Sequence, residues 1–119
     1  MRTFVVELGT GVDLHGQNPT KAAVRAVRDA FAHVSLPGLR AVAGVTDIST
    51  VRIDVRIGAP RAAGEVDVEE VRAQFPFGQV EVSVRAGGLI CPGEAFRPEY
   101  GDREDSIVMV NAAIFVRVP

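Results

Sequence analysis

The chain has 119 residues, of which 47% are hydrophobic and 24% are charged, and its formal net charge is -2. This composition is typical of a soluble globular protein and excludes a disordered chain. No basic stretch indicates nucleic-acid binding, the single cysteine excludes an internal disulfide, and no apolar run is long enough to cross a bilayer. We therefore expect one cytoplasmic domain, residues 1–119, that neither binds nucleic acid nor enters a membrane.

The chain begins with a predicted strand followed by a predicted helix. The alternation within the strand, Arg2–Leu8, puts Phe4, Val6 and Leu8 on one face and Val5 and Glu7 on the other. A glycine-rich turn follows. Asn18 is then a suitable N-cap, with a proline at the first helical position, and apolar residues at helical spacing predict an amphipathic helix over residues 19–34.

Three further strands and a second helix are predicted downstream. Residues 44–58 contain the most regular alternation of apolar and polar side chains, which is typical of a strand with one dry face. A loop at residues 60–64 precedes a short helix that begins at a capping box on Asp67. Residues 79–85 form the next strand. The almost unbroken apolar run at 106–118 predicts a central strand covered on both faces.

This order of elements, β-α-β-α-β-β, predicts an α+β fold with two layers. We expect one mixed or antiparallel sheet of four strands with two helices on one face. The polar positions of the second and third strands are too hydrophilic for another core. They suit a wet subunit interface or solvent.

The segment Glu7–Lys21 is the strongest candidate for a functional site. It combines three glycines, carboxylates, an imidazole and the only lysine of the chain, and it ends at a helix N-terminus. Backbone without Cβ atoms beside a helix N-terminus allows close approach of a polar or anionic ligand. Gly9, Gly11 and Gly16 are therefore candidate ligand-binding residues, and turn geometry is the equal alternative.

Three side chains of this segment are candidate catalytic residues. Asp13 and His15 would point the same way in an extended segment, so Asp13 would orient His15 and His15 would transfer a proton. Alternatively, both make hydrogen bonds within the turn. Lys21 lies in the first helical turn, where a cation opposes the helix dipole unless an anion is near, and it would stabilise negative charge or simply face solvent. Asp13 and His15 supply at most two metal ligands, which is too few to define a metal site. We therefore predict no metal and no particular cofactor.

Two more candidates lie outside this segment. Cys91, in the long connection 87–105, is either a nucleophile or an inert buried thiol. Asn111 interrupts the apolar last strand, and a buried amide there needs partners that the glycine turn would supply. Both are candidate ligand-binding residues. The acidic side chains of the connection are expected to face solvent: Glu94, Glu99, Asp102, Glu104 and Asp105.

The pattern Gly9-x-Gly11-x-Asp13-x-His15-Gly16 resembles the signature of a Lin-named family of uncharacterised, mainly bacterial proteins. The surrounding residues look like the same family, as do Gly87-Gly88-Leu89 and Asn111-Ala112-Ala113. The likeness covers most of the chain. It implies no assigned biochemical role.

At the level of the fold, the order of elements is similar to that of YjgF-like and chorismate-mutase-like proteins. It is also similar to single units of the ring-opening amidohydrolases that act on cyanuric acid and barbiturate. These resemblances imply a trimer with small-molecule clefts between subunits. A Lys–Ser pair of the amidohydrolase type would join Lys21 to Ser83 or Ser106.

We therefore expect a homo-oligomer, with a trimer favoured, that binds a small polar or anionic molecule at the Gly9–Lys21 turn. The resemblance to the amidohydrolases implies that this molecule is a cyclic amide. The expected activity is that of a hydrolase or isomerase. The alternative is a non-catalytic metabolite-binding or regulatory module that uses the same turn.

Overall fold

The computed structural model describes residues 1–60 and 65–119 of the chain. Residues 61–64 of the predicted loop at 60–64 lie outside this described part. The helices and strands are β1 (Arg2–Asp13), α1 (Pro19–Phe31), α2 (Gly38–Ala41), β2 (Arg52–Ala59), α3 (Val68–Arg72), β3 (Gln79–Ala86), β4 (Leu89–Pro92) and β5 (Ser106–Val118), with short 3-10 turns at Ile48–Thr50 and Pro98–Tyr100.

One mixed sheet organises the fold. The strand order is β1-β5-β2-β3, and β4 also pairs with β5. The pair β2–β3 is parallel and the other pairs are antiparallel. The predicted α+β class is confirmed. The sheet has five strands in place of four, because β4 forms inside the predicted long connection, and α2 adds a third helix.

The core lies between the sheet and the helices. Alternate residues of β5 from Val108 to Val118 are buried together with small residues of α1 such as Ala22, Ala23 and Ala26. The intervening residues of β5 are half-buried or exposed, so the prediction that this strand is covered on both faces is wrong for the single chain. The helices cover one face. We call the other, uncovered side the open face of the sheet.

The buried face of β1 is not the face that carries Val6 and Leu8. β1 extends to Asp13, and Leu8 is 74% exposed whereas Glu7 is only 7% exposed. A register shift between Thr3 and Val5 precedes this part of the strand. From Val6 onward, the face that carries the apolar side chains is thus exposed, and the face that carries Glu7 is buried.

Two glycines explain why β1 takes this orientation. A Cβ on Gly9 would lie 2.2 Å from the carbonyl oxygen of Ala26, and one on Gly11 would lie 2.0 Å from that of Ala22. Because these positions have no side chain, α1 packs directly on the backbone of β1. The predicted glycine turn is therefore partly strand, and Gly9 and Gly11 make the close contact between helix and strand.

The predicted N-cap residues are confirmed, but the capping box at Asp67 is not complete, because the backbone N–H of Asp67 donates to Oγ1 of Thr20 at 2.9 Å and not to Glu70. The side chain of Asn18 accepts a hydrogen bond from the backbone N–H of Lys21, and Pro19 is the first residue of α1. Asp67 likewise accepts from the N–H groups of Glu69 and Glu70 at the start of α3. Helix α1 ends at residue 31, earlier than the predicted residue 34. No helix in the described ranges is both long and apolar enough to cross a membrane.

Helix side chains also bind the backbone of both outer strands. On β1, Asp29 accepts a hydrogen bond from the N–H of Thr10 at 2.9 Å, and Arg25 donates one to the carbonyl of Val12 at 2.6 Å. On β3, Arg72 Nε donates to the carbonyl of Val80 at 3.1 Å. The layers are thus joined by polar contacts at the sheet edges as well as by the apolar core.

Candidate functional site

A buried carboxylate and a partly exposed imidazole meet beside the turn between β1 and α1. The Nδ1 atom of His15 lies 2.7 Å from Oδ2 of Asp102, and their side chains are 31% and 1% exposed. Asp102 also accepts hydrogen bonds from the backbone N–H of Gly16 at 2.7 Å and of Arg97 at 2.8 Å, and from Gln17 Nε2 at 3.0 Å. We call His15 and Asp102 the imidazole–carboxylate pair.

These contacts set the protonation of the pair. Burial alone would raise the pKa of Asp102, but the hydrogen bonds from His15, Arg97, Gly16 and Gln17 together hold that pKa well below its usual range. An ionised carboxylate only accepts hydrogen bonds, so Nδ1 of His15 carries a proton. In the neutral ring, Nε2 is then left with its lone pair and can accept a proton from a bound molecule.

Gln17 joins the turn to the segment that precedes β5. Its side chain is fully buried, and its backbone has a positive φ of 50°. The amide nitrogen donates to the carbonyls of Glu104 at 3.1 Å and Ser106 at 2.8 Å, and Oε1 accepts from the N–H of Arg103 at 3.0 Å. These bonds hold the segment that carries Asp102 against the turn that carries His15.

Tyr100 forms one side of the site. Its ring centroid lies 5.5 Å from that of His15, at an interplanar angle of 43°, and the residue is 64% exposed. The next residue, Gly101, has a φ of 88°, which glycine adopts without strain. This turn brings the ring and the Asp102 carboxylate to the same imidazole.

Asp13 lies close in sequence but has other partners. It is 3% exposed, its Oδ2 accepts from the N–H of Asn18 at 2.9 Å, and its Oδ1 lies 3.5 Å from Nη1 of Arg25. The expectation that Asp13 orients His15 is corrected, because Asp102 makes that contact. The chain bends after β1 and reaches a φ of 99° at Gly16, so the two residues do not lie in one extended segment.

The other residues of the predicted site are only partly brought together. Gly16 donates to Asp102 and so belongs to the site, whereas Gly9 and Gly11 lie beneath α1. Lys21 is exposed at the first turn of α1, and within the described ranges its ammonium group has no partner. Its side chain therefore remains available to a ligand.

Two predicted ligand-binding residues lie elsewhere on the sheet. Cys91 is half-buried in β4, opposite Ile107. Asn111 is exposed on the open face, opposite Thr10 of β1, so the expectation of a buried amide is wrong. No contact joins either residue to His15 in the part of the chain that is described. The same part contains no group of three or more His, Cys, Asp or Glu side chains placed to hold a metal ion.

The most important partner of His15 cannot be recognised from the sequence. Asp102 was expected to face solvent with the other acidic residues of its connection, and it is buried. Gln17 was also missed. The separation of His15 and Asp102 by 87 residues leaves no spacing signal that a single sequence reveals.

The fold and the site define a class: a two-layer α+β protein with an imidazole–carboxylate pair at its first strand–helix turn. The chain belongs to the family of conserved hypothetical proteins described as Lin0512_fam, whose model matches residues 3–116. It is similar to an FtsZ-like protein of unknown function from Nostoc punctiforme PCC 73102, known from a crystal structure. The TM-score is 0.87 and the identity 41%, over 98% of this chain and 95% of that chain. No curated protein matches the chain.

Proposed function

We propose that this protein binds a small polar or anionic molecule at the turn between β1 and α1 and acts on it as a hydrolase or isomerase. The observation that carries the proposal is the 2.7 Å contact between Nδ1 of His15 and Asp102. A carboxylate that fixes one ring nitrogen leaves the other as a directed acid–base group. In this scheme His15 is the catalytic residue and Asp102 is its positioning residue.

The neighbouring groups suit a substrate that gains negative charge. Lys21 and the N-terminal end of α1 offer positive charge on the same turn. For a cyclic amide, His15 Nε2 removes a proton from a water that attacks the carbonyl carbon. The proton then passes to the ring nitrogen as its C–N bond breaks, which returns the imidazole to its starting state.

The working form in this proposal is a homo-oligomer, with a trimer favoured, in which a neighbouring subunit completes the pocket. Its support is the open face, where Val6 at 45% exposure and Leu8 at 74% are neighbours on β1. Exposed apolar side chains that lie together mark interaction surfaces. Sedimentation equilibrium should give a mass above that of one chain, and Leu8→Lys should reduce it while leaving the circular dichroism spectrum unchanged. A wild-type monomer at micromolar concentration contradicts this part of the proposal.

A non-catalytic metabolite-binding module is the second candidate. It is favoured by the bonds to Asp102 from Gly16, Arg97 and Gln17, since these join two segments without any need for chemistry. The two candidates differ in what His15 does. A catalytic His15 controls turnover more than affinity, whereas a recognition residue controls affinity and there is no turnover to lose.

The test is a panel of cyclic amides, imides and their acyclic counterparts, assayed first by thermal shift and then for product formation. A ligand that binds stabilises the folded state in proportion to the logarithm of its concentration over its Kd. His15→Gln is compared with His33→Gln, which changes the other, exposed histidine. The expected result is turnover that is lost in the first variant and kept in the second. Binding without turnover supports the non-catalytic module, and equal activity of both variants removes His15 from the mechanism.

A further inference from the structure

A second cavity, separate from the imidazole–carboxylate pair, lies between the sheet and the helix layer. It has a volume of about 450 Å³, within the range of sites for small molecules. Its walls come from the covered face of β1, β2 and β5, the end of α1 with the segment after it, and the segment after α3. The walls are almost entirely apolar, and three phenylalanines contribute to them: Phe31, Phe75 and Phe77.

One carboxylate lies in this apolar cavity. Glu7 is 7% exposed and lines the cavity from β1, opposite Ile114 of β5. Among the described residues that line the cavity, the only other polar side chain is that of Ser35, and none is basic. No hydrogen bond or ion pair joins the carboxylate of Glu7 to any residue in the described ranges. Burial raises the pKa of Glu7 above its ordinary value of 4.5.

An unpartnered carboxylate that is 7% exposed destabilises the folded chain, because its charge loses most of its hydration and gains no donor from the described residues in return. Gly9 lies two residues further along the same face of β1, and the close contact with α1 leaves no room there for a side chain. No comparable packing requirement explains a carboxylate at residue 7. A group that costs stability and lines a cavity is therefore a candidate for ligand recognition.

We propose that this cavity binds an organic amine, with its ammonium group on the carboxylate of Glu7 and its apolar body among Phe31, Phe75 and Phe77. A cation supplies the missing charge and the missing hydrogen-bond donors, and it interacts strongly in surroundings of low dielectric constant. Aromatic ring faces attract cations as well. An anionic ligand would meet repulsion at Glu7, and a neutral apolar ligand would leave the carboxylate unpaired.

This site does not depend on the function proposed for His15. Glu7 precedes Asp13 by six residues in the same strand, which corresponds to about 20 Å of extended chain. The amine site and the imidazole–carboxylate pair can therefore be tested separately.

The experiment is a calorimetric titration of the full chain with three probes of similar size: phenethylamine, phenethyl alcohol and phenylacetate. The amine should bind at least about tenfold more tightly than the other two, which corresponds to about 1.4 kcal/mol. Its affinity should increase as pH rises through the raised pKa of Glu7, because the ionised carboxylate is the partner. In the described part of the lining, no other ionisable group is present to produce that dependence.

Glu7→Gln is the decisive variant, since it keeps the shape of the side chain and removes its charge. It should lose about tenfold or more in affinity for phenethylamine, with little change for phenethyl alcohol. Glu81→Gln, which changes an exposed glutamate of β3, is the matched control and should bind like the wild type. Unfolding of each variant by heat establishes that it is folded before titration. Tighter binding of phenylacetate or the alcohol, equal amine affinity in Glu7→Gln, or no binding of any probe would each overturn the proposal.

Discussion

Asp102 accepts a hydrogen bond from Nδ1 of His15 over 2.7 Å, although 87 residues separate the two in the chain. The carboxylate is buried and the imidazole is partly exposed. One end of the pair is thus fixed by the protein and the other end is presented to solvent.

Asp102→Asn should lower the Tm by several degrees at neutral pH, because an amide cannot accept all the bonds that the carboxylate accepts. The lowered pKa of Asp102 means that the unfolded state binds more protons at acidic pH. This stabilisation is therefore complete above the ordinary carboxyl value of 3.8 and is lost as pH falls towards the lowered folded-state pKa. Denaturant unfolding at a series of pH values measures it. The difference in the free energy of unfolding between wild type and variant should become smaller below pH 3.8. A difference that does not change with pH would mean that the variant loses stability through packing alone.

The ring of His15 should be protonated at Nδ1 when it is neutral. Nitrogen NMR of imidazole-labelled protein distinguishes this tautomer from the one protonated at Nε2 that predominates in free histidine. His33, which is exposed, provides the internal reference. In the Asp102→Asn variant, the preference of the neutral His15 ring for protonation at Nδ1 should weaken. A ring protonated at Nε2 in the wild type would show that Asp102 does not set the tautomer.

Alanine at Gly9 or Gly11 should lower the free energy of unfolding by about 3 kcal/mol, because the new methyl group meets the backbone of α1. Gly58→Ala is the control within the same sheet. The nearest atom to its added Cβ is Cα of Gly87 at 3.5 Å, an ordinary contact, so its effect should be about 0.5 kcal/mol or less. Urea denaturation compares the three variants. Similar losses at all three glycines would contradict the close contact between helix and strand.

Glu7→Gln should raise the free energy of unfolding at pH 7 by about 1 kcal/mol, since it removes a buried charge without a partner. The sign of the pH dependence follows from the raised pKa. Between the ordinary value of 4.5 and the raised value, the folded state binds more protons, so wild-type stability falls as pH increases through that window.

The advantage of the Gln variant should therefore be present at pH 7 and absent below pH 4.5, where Glu7 is protonated in both states. Thermal unfolding across this range measures the difference. Glu81→Gln should show no such dependence, because its side chain is exposed. A Gln variant that is less stable than the wild type at pH 7 would mean that the carboxylate has a stabilising partner.

The fold class, most of the strands and both helix caps are predictable from the sequence because they depend on local signals. Asn18 followed by proline marks the start of α1, and Asp67 marks that of α3. The face of β1 is not predictable in this way. Its apolar alternation favours burial of Leu8, but the absence of a Cβ at Gly9 allows tertiary packing to decide the orientation.

The candidate site is predictable only in part for a similar reason. His15 and Gly16 stand out through their local sequence, since an imidazole and a glycine flank a helix start. Asp102 and Gln17 contribute through contacts across the fold, with no periodicity to reveal them. Glu7 is visible as a charge within an apolar strand. Its direction depends on the register shift between Thr3 and Val5 and on the packing of α1.

Arg25 and Asp29 of α1 use the hydrogen-bonding groups that the outer rim of β1 would otherwise offer to an incoming strand, and Arg72 does the same on β3. Addition of a strand from another copy is therefore hindered at these positions of β1 and β3. Occupied edge groups are one of the devices by which sheet proteins avoid edge-to-edge aggregation.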